Sequence, residues 1–268
     1  MKPRQTRKFL LKVKRTNTLT WVPWVKKKIE NLSAMFNIIA IDGRFGPKQG
    51  VMLPISQNMK IESLVVGSFE CNCFILSDEK TKEAIIIDPG DEPHEILSLV
   101  QAKGLTVKGL VHTHAHLDHM MATKKIKEET LATTYLHKDD LYLWTNLKMQ
   151  ADMFGLKVDT PTTVDQHLLD DMEIKFGSHK IKTIFTPGHT PGSCCFHLET
   201  DESILFSGDT LFKKSIGRTD LWGGDSAKIS KSIKKRLYTL DDETIVLCGH
   251  GPETLIGQEK RYNPFVTG

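Results

Sequence analysis

The chain has 268 residues, 39% of them hydrophobic, which is enough for one large domain or two small ones with a proper core. Its apolar runs fall short of the roughly 18–20 residues that cross a bilayer, which argues against a membrane-spanning protein. The net charge of +3 is unevenly distributed, since residues 1–58 hold 12 Lys or Arg against 2 Asp or Glu and the remainder holds 24 against 31. The basic excess therefore belongs to one segment and does not indicate nucleic-acid binding.

Residues 1–58 are predicted to be a basic N-terminal extension, and Met59 is predicted to open a complete domain over residues 59–268. Three interpretations of the extension stay open. Its acid-free, basic start resembles a mitochondrial targeting segment, although Pro3 and Pro23 would interrupt a long helix. The stretch can also be a non-native or misassigned start, or a basic arm that contacts acidic surfaces.

The five cysteines are odd in number and irregularly spaced, which argues against a disulfide scaffold. Cys71 and Cys73, like Cys194 and Cys195, lie in apolar, strand-like runs, where cysteine behaves as a small hydrophobic residue. This usage favours a reducing compartment. We therefore predict a cytoplasmic protein, or a mitochondrial one if the basic start is a targeting segment.

The first half of the predicted domain alternates strands and helices. The uninterrupted apolar residues 84–87 predict a central strand, and Pro93 can open the helix that follows. Predicted strands cover residues 61–66, 71–76, 84–88, 105–111 and 133–136. Predicted helices start at residue 93 and cover residues 120–128 and 138 to about 153.

The second half contains more strands and fewer helices. Ile229, Ile233 and Leu237 recur at the spacing of one helix face, which predicts a helix over residues 226–238. Predicted strands cover residues 168–169, 172–176, 180–185, 194–198, 204–207 and 244–248. A closing helix is expected after Glu253.

The sequence His114-x-His116-x-Asp118-His119 follows directly on the predicted strand 105–111. Because side chains alternate along an extended segment, both His114 and His116 can point the same way. Asp118 and His119 then lie at the turn into a helix and can face a neighbouring point. Imidazole and carboxylate ligands suit zinc, or iron or manganese, and so short a loop rarely gives all four to one ion. The motif therefore predicts two adjacent metal ions.

Three further predicted strands also end in residues of the metal-ligand type. His189 follows strand 180–185, Asp209 follows strand 204–207, and His250 follows strand 244–248. Strands hold their positions rigidly while the loops at their ends expose side chains. The four strand ends are therefore expected to converge on one metal site.

These motifs together resemble the metallo-β-lactamase superfamily, and within it the compact glyoxalase II-like (hydroxyacylglutathione hydrolase-like) group, over about residues 59–265. The resemblance rests on His114 to His119, on the Pro-Gly-His-Thr-Pro-Gly run around His189, on Ser-Gly-Asp-Thr around Asp209, and on Gly-His-Gly around His250. It implies an α+β fold, a four-layer αββα sandwich. It also implies two ligand groups, the first with His114, His116 and His189, the second with Asp118, His119 and His250, and Asp209 bridging them.

The activity implied by the resemblance is metal-dependent hydrolysis. Two Zn²⁺ ions, or Fe or Mn in either position, would convert a bridging water into a hydroxide nucleophile near neutral pH. Asp118 would orient that nucleophile and carry a proton. The expected substrate is a small-molecule thioester such as S-D-lactoylglutathione or another hydroxyacyl thioester. No nucleic-acid or membrane partner is expected, and the chain would be a monomer or a homodimer.

The substrate-binding part departs from glutathione-specific relatives. The stretch Gly217-Arg218-Thr219-Asp220 stands where those enzymes have Gly-Lys-Phe-Tyr, and only 18 residues follow His250. Lys213, Lys214 and Arg218 are candidate contacts for a substrate carboxylate, or plain surface charges. The Gly-Arg-Thr-Asp form also resembles persulfide dioxygenases, with one iron at His114, His189 and Asp209. That oxidation is the alternative activity, and a metal-stabilised scaffold is the non-enzymatic one.

Overall fold

Two β-sheets form the core of the part of the chain that we describe, from a computed structural model. The structure describes residues 53–56 and 58–268, so the predictions made for residues 1–52 lie outside it. Within that range no helix combines the length and the apolar character needed to cross a membrane. The first strand lies upstream of Met59, the predicted start of the domain, and pairs with the strand that Met59 begins. The domain boundary stays a prediction.

The first sheet has seven strands, which are neighbours in the order of the chain. They are β1 (Leu53–Ser56), β2 (Met59–Val66), β3 (Cys71–Asp78), β4 (Glu83–Ile87), β5 (Thr106–Val111), β6 (Thr133–His137) and β7 (Gln166–Leu168). Strands β1 to β4 pair antiparallel, whereas β4 to β7 pair parallel. Parallel neighbours need crossover connections, and these carry the helices of this half.

The second sheet has six strands in the order β15-β14-β11-β10-β9-β8. They are β8 (Glu173–Phe176), β9 (His179–Phe185), β10 (Cys194–Leu198), β11 (Ile204–Gly208), β14 (Ile245–Cys248) and β15 (Thr254–Leu255). Only β11 and β14 pair parallel. A separate small hairpin, β12 (Leu211–Phe212) and β13 (Ser215–Ile216), follows Asp209 and was not expected from the sequence.

The core lies between the two sheets, and strand β4 shows how it is built. Ile85 and Ile87 face the second sheet and join the cluster that contains Phe74 and Phe206. The rings of these two phenylalanines meet edge to face, with centroids 5.2 Å apart. Ile86 points to the opposite face, where helices cover it. Both faces of β4 are therefore buried, which explains its uninterrupted apolar sequence.

Helices form the two outer layers. Helices α1 (Pro93–Ala102) and α2 (Thr123–Thr130) cover the first sheet through a cluster that includes Ile96 and Ile126. Helices α5 (Ser226–Ser232) and α6 (Ile256–Tyr262) cover the second sheet through a cluster that includes Ile229 and Ile256. The order of layers is helix, sheet, sheet, helix, and the predicted four-layer α+β sandwich is confirmed.

The predicted helix over residues 138–153 is wrong in detail, because it is broken twice. A short 3₁₀ helix at Lys138–Asp140 leads into α3 (Leu141–Thr145), and a separate helix α4 covers Leu147–Met153. The break lies at Asn146, whose Nδ2 donates to the Tyr142 carbonyl, while the Thr145 hydroxyl donates to the Leu141 carbonyl. Such bonds from side chain to backbone compete with the helical pattern.

Two other helices differ at their ends from the prediction. Helix α2 starts at Thr123, because Leu117–His119 forms a 3₁₀ helix of its own before it. The helix predicted over residues 226–238 ends in a wider π-helical turn at Ile233–Leu237. Ile233 and Leu237 nevertheless stay on the buried face, as the sequence predicts.

Candidate metal centre

All seven predicted metal ligands lie at one end of the sandwich. Strand β5 leads into the loop that carries His114, His116, Asp118 and His119. The three remaining ligands follow the ends of β9, β11 and β14, at His189, Asp209 and His250. An isolated antiparallel bridge between Cys71 and His250 also ties the loop after β14 to the start of β3. The sequence-predicted residues are thus brought together, although their binding of metal stays a prediction.

The first ligand group contains three buried imidazoles, of His114, His116 and His189. His114 Nε2 lies 3.1 Å from His116 Nδ1. The centroid of the His189 ring lies 4.7 Å from that of His114 and 4.6 Å from that of His116. The three rings therefore surround one point, as the alternation of His114 and His116 predicts.

The second group contains Asp118, His119 and His250. His250 Nε2 lies 3.2 Å from His119 Nε2 and 3.2 Å from Asp118 Oδ2. His119 Nε2 lies 3.6 Å from the same Asp118 oxygen. One aspartate and two imidazoles thus face a second point.

Asp209 contacts both groups. Its Oδ2 lies 3.5 Å from His189 Nε2 in the first group and 3.7 Å from His250 Nε2 in the second. Its Oδ1 lies 3.4 Å from His119 Nε2. Asp209 therefore occupies the position that the resemblance assigns to a bridging carboxylate.

The ligand atoms fit a bound cation. Two nitrogens or oxygens bound tetrahedrally at about 2.1 Å from one zinc ion are about 3.4 Å apart. His114 Nε2 and His116 Nδ1 are 3.1 Å apart in the first group, and the separations in the second group run from 3.2 to 3.6 Å. His189 Nε2 and Asp209 Oδ1 are moreover buried without a hydrogen-bond partner within the described part of the chain. Buried polar atoms are normally paired, so a cation is the partner that this set fits.

Protonation of the first group also suits metal binding. Burial, followed by the neighbouring His189 ring, lowers the pKa of His116 to about 3. Burial and the other imidazoles lower the pKa of His114, and burial lowers that of His189. These three rings are therefore neutral at pH 7 and keep a lone pair for a metal.

The second group carries charge of both signs. Burial alone would raise the pKa of Asp118, but His119 and His250 hold it below its usual range. Burial alone would lower the pKa of His250, but Asp118 and Asp209 outweigh burial and raise it. The carboxylate is therefore ionised, and a cation that binds here would take the place of a proton on the imidazole.

Three of the imidazole nitrogens that face away from the centre are held by the protein. His189 Nδ1 lies 2.8 Å from the Arg218 carbonyl oxygen, and His250 Nδ1 lies 3.2 Å from the Glu70 carbonyl oxygen. His119 Nδ1 lies 3.0 Å from Asp88 Oδ2. Partners of this kind fix the orientation of a metal-binding ring. Asp88 therefore supports a predicted ligand without being one.

Other histidines and cysteines lie outside the centre. His112 is buried but is held by the Tyr135 carbonyl and the Thr123 hydroxyl. Of the histidines in the described residues, His94, His137, His167, His179 and His197 also belong to none of the ligand groups. All five cysteines are free and buried, as predicted for small hydrophobic residues. Cys71 Sγ nevertheless lies 3.5 Å from His119 Nδ1, a contact that the sequence does not indicate.

The three candidate substrate contacts occupy different surroundings. Arg218 lies at the centre, since its carbonyl oxygen faces His189, but its guanidinium makes two 2.7 Å hydrogen bonds to Asp220. Lys213 lines a cavity of about 490 Å³ between the sheets, which none of the seven ligands lines. Lys214 is exposed, and its backbone N–H donates to Glu259. Only Arg218 is therefore placed beside the ligands.

Comparisons with known proteins agree with this architecture. The hydroxyacylglutathione hydrolase GloC of Haemophilus influenzae is 37% identical over 210 residues, which cover 78% of this chain and 98% of that protein. The structure of the B3 metallo-β-lactamase BLEG-1 is 34% identical with a TM-score of 0.72, covering 78% of this chain and 100% of that one. TTHA1623, solved in a di-iron-bound form, is 37% identical with a TM-score of 0.69, covering 76% and 99%.

A more distant relative represents another reaction class. The mitochondrial persulfide dioxygenase ETHE1 of Mus musculus is 28% identical over 199 residues, covering 72% of this chain and 70% of that protein. The family model described as the metallo-β-lactamase superfamily matches residues 66–250, a range that contains all seven predicted ligands. The chain belongs to the metallo-β-lactamase superfamily.

Proposed function

We propose that the protein is a binuclear metal-dependent hydrolase that acts on thioesters, such as S-D-lactoylglutathione or another hydroxyacyl thioester. The observation that carries the proposal is the pair of three-residue ligand groups with Asp209 in contact with both. A mononuclear enzyme needs only one such group. The similarity to the GloC hydrolase supports a thioester as the substrate.

The chain's own residues account for the movement of protons. Asp118 is ionised and partly exposed beside His250, so it can accept a proton from an attacking water. It can then return that proton to the departing sulfur. Hydrolysis breaks the carbonyl–sulfur bond and releases a carboxylic acid and a thiol. Divalent ions, when bound, would lower the pKa of water and polarise the substrate carbonyl.

Zinc is the proposed metal, with iron or manganese as the alternatives, because imidazole and carboxylate ligands suit all three. The di-iron form of TTHA1623 supports iron as a serious competitor. We place the enzyme in the cytoplasm, on the evidence of five free, buried cysteines. A small-molecule substrate remains the only proposed partner, and the choice between monomer and homodimer stays open.

A mononuclear iron persulfide dioxygenase is the second candidate. Arg218 followed by Asp220 favours it, as does the similarity to the mouse enzyme. That activity would use His114, His189 and Asp209 and would leave Asp118, His119 and His250 without a catalytic task. The complete second group therefore favours the hydrolase.

Metal analysis of the purified full-length chain, with activity assays on the same sample, tests the proposal. We expect about two metal equivalents per chain and hydrolysis of S-D-lactoylglutathione. The His250→Ala variant should lose one equivalent and most of the activity, whereas His94→Ala, an exposed histidine on α1, should behave as wild type. One iron per chain, oxygen uptake with glutathione persulfide and no hydrolysis would establish the dioxygenase instead.

A further inference from the structure

Residues 114–117 alternate between two sides of the loop after β5. His114 and His116 face the metal centre, whereas Ala115 and Leu117 are buried on the opposite side. Ala115 and Leu117 pack in a cluster with residues of the segment 138–153, among them Trp144. The loop is thus held between the ligand site and the helices α3 and α4.

The backbone of this loop has no sheet to satisfy it, because β5 ends at Val111. Two buried side chains of the helical segment form hydrogen bonds with the loop backbone instead. Asp140 Oδ2 accepts from the Ala115 N–H at 2.9 Å. Gln150 Oε1 accepts from the Leu117 N–H at 3.1 Å, and Gln150 Nε2 donates to the Ala115 carbonyl at 2.9 Å. Three backbone groups that would otherwise be unpaired are therefore fixed by Asp140 and Gln150.

Asp140 also reaches the loop that carries His189. Its Oδ1 accepts from the Gly192 N–H at 2.6 Å, and its Oδ2 accepts from the Thr190 hydroxyl at 2.8 Å. A Cβ at Gly192 would lie 2.8 Å from Asp140 Cγ, so glycine is needed for this approach. One buried carboxylate thus joins the two loops that supply all three imidazoles of the first ligand group.

The supports of the two groups overlap only in part. Asp140 bonds to the Ala115 N–H between His114 and His116 and to the loop of His189, so its partners lie in the loops of the first group. Gln150 also holds the Leu117 N–H, next to Asp118. Asp88 supports His119 and, through Thr113, also His114. Burial raises the pKa of Asp140 to about 6 against the effect of its three donors. Asp140 is therefore ionised at neutral pH and accepts all three bonds.

We infer that Asp140, assisted by Gln150, is a positioning residue that sets the metal affinity of the first ligand group more strongly than that of the second. The inference rests on the proposed binuclear function, and it assigns a role to two residues that touch no ligand atom. Supports of a metal ligand typically change affinity by about 10–100-fold when removed. We expect a change of that size at one of two sites.

The test is a metal titration of the metal-free full-length chain with Zn²⁺ against a competing chelator, which resolves the two affinities. Asp140→Asn should lower the zinc affinity of one site by about 10–100-fold and leave the affinity of the other site near its wild-type value. Asp139→Asn is the matched control, since Asp139 is the exposed neighbour and its Oδ2 lies 3.8 Å from His137 Nδ1. Gln150→Met, which removes the contacts to Ala115 and Leu117 without altering Asp140, is the second variant in case the first does not fold.

Combination with ligand variants assigns the weakened site. In a His250→Ala background Asp140→Asn should still lower the affinity for the remaining ion. In a His189→Ala background it should have little effect on that affinity. A fall in thermal stability with both affinities unchanged would make Asp140 merely structural and overturn the inference, as would an equal loss at both sites. A wild-type chain that binds no metal would overturn the proposed function and this inference together.

Discussion

The two ends of the sandwich differ in how their carboxylates are hydrogen-bonded. Strand β3 runs from Cys71, beside the ligands, to Asp78 at the other end, about 23 Å away for eight residues. Asp78 accepts from the Ser178 N–H at 2.8 Å, from the Ser178 hydroxyl at 2.7 Å, and from the N–H groups of Lys80 and Thr81. At the ligand end, Asp209 Oδ1 is buried and accepts no hydrogen bond within the described residues.

The difference separates a structural carboxylate from one that is ready for a ligand. Asp78 joins the β3–β4 turn to the β8–β9 turn, and its donors hold its pKa well below the usual range. Its bonding is complete within the chain. The pairing at Asp209 is incomplete, and His189 adds an unpaired nitrogen within the described residues. A buried polar atom without a partner lowers the free energy of unfolding. The unpaired atoms at the ligand end therefore destabilise the fold unless a cation binds there.

The largest effect is expected from removing a ligand. His189→Ala and Asp209→Ala should each lose at least one metal equivalent, since His189 belongs to the first group and Asp209 contacts both. Thioester hydrolysis should fall by more than the roughly 10–100-fold that follows loss of a mere support. Metal content and hydrolysis rates measure the effect, and an active, metal-free variant would refute these ligand assignments.

Removal of metal should lower the stability of the unmodified chain. A ligand that binds only the folded state, at a free concentration about 1,000 times its Kd, adds about 4 kcal/mol to the free energy of unfolding. Urea unfolding of the chelator-treated and the metal-loaded protein measures this difference. Coincident unfolding curves would mean that the ligand end does not need a cation.

A smaller effect is expected at the opposite end. Asp78→Ala leaves buried N–H and hydroxyl donors without an acceptor, which should lower the free energy of unfolding by about 1–3 kcal/mol. Metal content should stay at the wild-type value, in contrast to the ligand variants. Asp152→Ala removes an exposed carboxylate paired with Lys148 and serves as the control, with a change below about 1 kcal/mol. A loss of metal in Asp78→Ala would show that the two ends are coupled.

The smallest effect is the pH dependence of the stability that Asp78 contributes to the fold. Because the pKa of Asp78 is lower in the folded than in the unfolded chain, Asp78 stabilises the fold above the unfolded pKa of about 4. This contribution should disappear as the pH falls further towards the lower, folded pKa. Unfolding of metal-free wild type and Asp78→Asn between pH 5 and 2.5 should therefore converge on the acid side. A difference that stays constant would contradict the role of the ionised carboxylate.

Much of the ligand end can be predicted from local sequence. His114 and His116 converge because extended backbone alternates its side chains, and His189, Asp209 and His250 converge because each follows the end of a strand. The family model and the sheets confirm the fold that these motifs indicate. The binding of metal by these residues stays a prediction, and so does the thioester substrate.

The supports of the ligands could not be predicted in the same way. Asp140 lies in an ordinary acidic stretch, and Gln150 lies in a segment whose pattern predicts one continuous helix. The break at Asn146 divides that segment into α3 and α4, and the packing of the two helices on the loop places both side chains against its backbone. Contacts between residues 25 to 52 positions apart have no signature in a single sequence.

The sequence by itself determined which residue types follow which strands, because local periodicity and spacing are carried by a chain before it folds. The motifs at those strand ends carry the resemblance to the superfamily, and that resemblance implies the layered fold, the predicted ligand set and the class of chemistry. Only the tertiary structure decided how Asp209 lies between two groups, which carboxylates are complete and which are not, and how Asp220 engages Arg218. Those outcomes depend on distances between separate loops, which packing of the two sheets and their helices fixes.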